Sequence, residues 1–169
     1  MLALPVAVLG AIVVAIVYYH FFGKAKVGYI DHPFWFGQNK AVIRTMVGLQ
    51  IAAAIGFLLF LVPWVFQPPD GPLFPKPWVL PLVLALFFGA WVAWPYLTQR
   101  AIDTKRGTWA VVACLVLAAL CSLYMLAGAS IESNPRWYVV LGLALFCGTT
   151  VFGDGVLWNA KFVQHMNLA

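Results

Sequence analysis

Charge is scarce in this sequence. Only 9% of its 169 residues are Asp, Glu, Lys or Arg, and only five are acidic; a soluble domain carries about a quarter. That scarcity excludes an ordinary water-soluble globule. The alternation of apolar and polar residues that marks a lipid-spanning barrel strand is also missing, which excludes a membrane barrel. Cysteine is sparse too: Cys114, Cys121 and Cys147 show no CxxC spacing and no neighbouring histidine cluster, so zinc and haem attachment have no signature here. They read as small buried apolar residues. No GxSxG, HExxH or GxxxxGK[ST] motif occurs, which leaves no recognisable nucleophile elbow, metalloprotease helix or phosphate loop. His20, His32 and His165 lack the i, i+4 spacing of helical metal ligands. No cofactor or metal site is assigned.

What is present is apolar surface. The chain is 64% apolar and 16% aromatic, with mean hydropathy +0.93. Continuous helices are then the remaining way to satisfy backbone polar groups in hydrocarbon. Five runs approach the roughly 20 residues that a bilayer requires: 2–22, 45–66, 78–97, 108–128 and 137–160. The first lacks a basic leading region and is too long for a signal peptide's apolar core, so it reads as a retained helix. The fold class expected is all-α: a single polytopic domain over 1–169, built as an antiparallel bundle of five transmembrane helices.

Between the runs, QPPDGPLFPKP (67–77) has five prolines and cannot continue a helix. SNP at 133–135 reads as a tight turn. In the longest connection, 23–41, Phe34, Trp35 and Phe36 read as an interfacial anchor lying along the headgroups. Eight of the ten basic residues fall on one side: Lys24, Lys26, Lys40, Arg44, Arg100, Lys105, Arg106 and Lys161, against Lys76 and Arg136 on the other. The positive-inside rule therefore puts the amino terminus out and the carboxyl terminus in. The net charge of +5 is absorbed by this asymmetry, and no nucleic-acid partner is inferred.

Small residues recur at four-residue spacing, as helices packing closely in lipid require: Ala3, Ala7, Ala11 and Ala15; Gly48, Ala52 and Gly56; Ala85, Gly89 and Ala93; Ala110, Cys114, Ala118 and Ser122; and, more briefly, Ala144 and Gly148. Phe87, Phe88 and Trp91 are then expected to face lipid or other subunits.

The segment VFGDGVLWNAKF, 151–162, sets a carboxylate between two glycines inside an apolar run. Gly153 and Gly155 are expected either to admit a neighbouring backbone or to loosen the helix. An acid at membrane depth needs a partner, and Arg44, Lys40, His20, Arg100 and Gln50 lie at suitable depth. The expected polar cluster at the inner leaflet comprises Asp154, Asn159, Gln50, Arg44, His20, Tyr19 and Tyr96. It is either a structural ion pair, with Arg44 or Arg100, or a binding site for a headgroup, a proton or a small substrate. Acid–base catalysis would need a second positioned group, for which the sequence nominates only Tyr18, Tyr19, His20 or Tyr96. No catalytic residue is assigned.

VAWPY at 92–96, together with the helix count and eight tryptophans, resembles the third helix of the translocator-protein family, whose members bind porphyrins and sterols. The first connection lacks that family's W-x-P-P pattern, so no residue role is carried over. Function is expected in one of two forms, ranked above a membrane enzyme acting on lipids, for which no nucleophile or metal site is found. The first is a non-catalytic subunit of a larger membrane assembly, with the bilayer and other membrane chains or further copies as partners. The second is a small transporter or lipid- or cofactor-binding protein working through Asp154.

Overall fold

The computed structural model of the protein describes residues 2–23, 32–36 and 38–168. Lys24 and Lys26 lie outside the described residues. Helix α1 covers Ala3–Tyr18 and runs on as a π-helical turn, Tyr19–Gly23. A 3-10 turn at Pro33–Trp35 precedes α2, Lys40–Phe66. Then come α3, Val79–Thr104, and α4, Thr108–Ser130. The last rod is α5, Trp137–Cys147, a π-helical segment Gly148–Trp158, and α6, Asn159–Leu168. Among the described residues, five helical stretches are long and apolar enough to cross a membrane, an architecture compatible with a small integral membrane protein.

Helix ends differ from the apolar runs because capping, not hydropathy, stops a helix. Helix α2 begins five residues ahead of Thr45, where the Asn39 side chain accepts from the Ala41 N–H at 2.8 Å. Helix α3 runs through Pro95 and seven residues past Leu97. Its polar last turns are tied by Gln99 donating to Asp103 at 2.9 Å and Thr104 donating to the Arg100 carbonyl at 2.7 Å. It stops where Lys105 (φ 53°) and Gly107 (φ 83°) turn left-handed.

Helix α2 packs on α5, α3 on α4, and α4 on both α5 and the π segment; α1 leans on α3 and barely touches α2. Close approach uses fewer small residues than their spacing suggests. Gly56 meets Gly142 backbone to backbone, Gly10 receives the Phe88 ring, and Cys114, Ala118 and Ser122 line the buried face of α4. Ala85 and Gly89 face outward instead, with open space over Gly89. The lipid-facing placement of Phe87 and Phe88 is therefore corrected: both are buried, and their rings join Phe57, Phe60 and Phe146 in one aromatic core. Large rings fill the space between helices that stand too far apart for backbone contact.

The two ends are each tied by a tryptophan. At one, Trp64 Nε1 donates to Glu132 Oε1 at 3.1 Å, Tyr124 donates to the Leu73 carbonyl, and Arg136 donates to the Gln67 carbonyl at 3.1 Å. At the other, Trp158 Nε1 donates to the Phe34 carbonyl at 3.1 Å. Phe34 and Trp35 are buried against the bundle: Phe34 packs on Phe21, Phe22 and Trp94. Phe36 packs on Trp158 and Phe162.

Candidate functional site

Aromatics and alanines on three helices, of which α1 leans on α3 but barely meets α2, leave a cavity of about 740 Å³. Helix α1 contributes Ala11, Val14, Ala15 and Tyr18, and α3 contributes Phe87, Phe88 and Trp91. Helix α2 supplies its Val47–Leu58 face, Gln50 and Phe57 included; Phe146, Thr149, Thr150 and Asp154 close the back. Because α1 and α2 scarcely meet, the cavity opens sideways between them. The exposed lining residues Ile51, at 60%, and Leu58, at 59%, mark that mouth.

The π-helical segment positions the polar wall. A π-helical register widens the turn and is enriched at functional sites; here it spans the TTVFGDG run and brings Thr149, Thr150 and Asp154 to the cavity. This is the loosening that Gly153 and Gly155 suggested. A Cβ on Gly153 would meet only Thr149 and Met46, at 3.7 Å and 3.9 Å, so no neighbouring backbone crowds it.

The two threonines are already engaged. Thr149 Oγ1 donates to the Leu49 carbonyl at 2.8 Å, which ties the π segment to α2. Thr150 Oγ1 and Ser122 Oγ share a hydrogen bond at 2.8 Å. Asp154 is 4% exposed, and its Oδ2 has no hydrogen-bond partner. Among the described residues no ion pair reaches it. Arg44 and Arg100 are exposed, and the salt bridge found is Arg136 to Glu132, 3.6 Å, at the other end. The structural ion pair with Arg44 or Arg100 is therefore not formed.

No family model, curated protein or solved structure matches this chain. The site has to be read from its own chemistry.

Of the residues expected to cluster, Asp154 and Gln50 both line the cavity. Asn159 lies one turn beyond, donating to the Gly155 carbonyl at 3.0 Å, with a buried Oδ1 that has no partner. Tyr19 and Tyr96 are 65% and 51% exposed, and His20 and Arg44 are also exposed; none of these four lines the cavity. Phe87, Phe88 and Trp91 of the aromatic wall were expected to face lipid or other subunits, and the two threonines were not singled out from sequence. The threonines were findable, since TT stands four residues before the acid. The wall was not, because apolar residues on a membrane helix carry no mark of which side faces protein.

Among the described residues outside the helical spans, burial shifts Glu132 and His32 in opposite directions. Burial raises the Glu132 carboxyl above its ordinary value, against the opposing pull of Arg136 and Trp64. Burial lowers His32, whose Nδ1 accepts from the Phe34 N–H at 3.3 Å.

Proposed function

We propose that the chain is an integral membrane protein that binds a lipid-soluble ligand in the cavity between α1, α2 and α3, with Asp154 as its polar contact. The observation that carries this reading is a buried carboxylate without a partner at the wall of an apolar cavity. A charge or hydrogen-bonding group withdrawn from water is costly unless something pairs with it. The volume lies in the range of small-molecule sites, roughly 300–1,000 Å³. The sideways mouth suits a ligand arriving from hydrocarbon rather than from water. Whether binding serves storage, delivery or transport, the same site would be used.

The antiparallel arrangement, amino terminus out and carboxyl terminus in, is proposed alongside. It is supported by the distribution of basic residues and by the contacts that gather Phe34, Trp94 and Trp158 at one end and Trp64, Leu73 and Glu132 at the other.

The test is mass spectrometry of the protein extracted from its native membrane in mild detergent. A small molecule retained by the wild type and lost from Asp154→Asn, at unchanged helix content, is the expected result. An empty cavity in both would refute the reading. The same spectrum addresses a second proposal, a non-catalytic subunit of a larger assembly. Its support is the outer face of α1, where Leu9, Ile12 and Ile16 are 62%, 50% and 61% exposed; stoichiometric partner chains would favour it.

A further inference from the structure

Resting on the binding reading above, we infer that the cavity takes a lipophilic cation: an apolar body carrying one quaternary or protonated onium group, which Asp154 neutralises against the aromatic wall. The chain holds ten basic residues and a net charge of +5, so an internal partner for its intramembrane acid would have been easy to supply. None of the described basic residues pairs with Asp154, and none lines the cavity. The missing positive charge is therefore available for a ligand to bring. The lining's donors, the Trp91 indole N–H among them, are neutral, and no basic side chain there would attract an anion.

The rest of the wall suits the same guest. Tyr18, Phe88 and Trp91 present rings around the space, with Tyr18 and Trp91 centroids 6.1 Å apart. Aromatic faces attract cations, and most strongly where water is excluded. The hydroxyls of Thr149 and Thr150 are held by Leu49 and Ser122, which leaves Asp154 as the anionic contact. A neutral lipid chain would fill the volume but leave the carboxylate as it stands, whereas a cation would answer both wall and acid.

Three probes of one shape and different charge separate the possibilities: tetraphenylphosphonium, tetraphenylsilane and tetraphenylborate. Each is titrated into full-length protein in nanodiscs of phosphatidylglycerol, with empty discs subtracted. Saturable binding and thermal stabilisation by the phosphonium alone are expected, weakened about tenfold or more in Asp154→Asn and retained in Asp154→Glu. Ala54→Leu, which narrows the mouth and leaves the acid untouched, should also weaken binding and serves if Asp154→Asn fails to fold.

Equal binding of the silane would overturn the cation assignment while upholding the cavity as a ligand site. Preferred binding of the borate would overturn it as well. No saturable binding of any probe would sink both this inference and the reading on which it rests. Loss of the phosphonium signal in phosphatidylcholine discs would make the occupant a choline headgroup and overturn a free lipophilic cation.

Discussion

Gly56 and Gly142 stand so close that neither has room for a methyl group. A Cβ on Gly56 would lie 2.4 Å from the Gly142 carbonyl oxygen, and one on Gly142 would lie 2.7 Å from that of Gly56. Backbone atoms cannot swing aside as a side chain can, so Gly56→Ala must push α2 off α5. Overpacking of this kind costs about 1–3 kcal/mol, expected as a lowered midpoint in unfolding from mixed micelles. Gly89→Ala, inside α3 and over open space, should raise the midpoint slightly through helix propensity alone and is the control. The pair shows how far single residues could be read. Gly56 was marked by its spacing from Gly48 and Ala52; its partner Gly142 was not, because Ala144 and Gly148 made the more regular pattern. Spacing finds small residues that share a face but cannot say which face has a neighbour. Asp154 was legible for the opposite reason: its chemistry is wrong for its surroundings whichever way it points.

At the scale of elements, the connections carry the titrating groups, and the two ends answer pH in opposite directions. His32 has its folded pKa held below the ordinary 6.5 by burial, with a hydrogen bond donated to the Phe21 backbone opposing. It therefore contributes stability that is present above that value and is lost as pH falls through the folded one. Glu132 is raised above the ordinary 4.5, chiefly by burial. Its contribution is complete below that value and declines as pH rises through the raised one. Melting temperature against pH should bend at both ends. Glu132→Gln, which keeps an acceptor for Trp64, should flatten the higher-pH decline, and His32→Asn the acid one. A parallel response from both variants would contradict the assignment. The helical register of these elements was only partly foreseeable. Hydropathy located all five spans, but the π segment arises from hydrogen bonding that a sequence of apolar residues and glycines permits without announcing.

For the whole molecule, the arrangement across a membrane rests on contacts at the two ends and on charge. Single cysteines replacing Lys161 and Lys76, both exposed, should be labelled by an impermeant thiol reagent from opposite faces of oriented vesicles, in a background with Cys114, Cys121 and Cys147 changed to Ala. Labelling of both from one side would refute the proposed topology. Helix count was readable because the bilayer fixes helix length and the prolines fix the breaks. The cavity was not, because it comes from a gap in neighbour relations: α1 bypasses α2 and leans on α3.

That bypass also sets an order of events during synthesis. Helix α1 is synthesised before α2, yet α2 offers it almost no surface, and its resting place on α3 is not made until Phe88 has left the ribosome. For the length of α2 and the proline-rich segment, α1 must wait without its packing partner. Its unbroken apolar circumference, with Leu4, Leu9, Ile12 and Ile16 all exposed even in the finished fold, is the surface that such a wait requires.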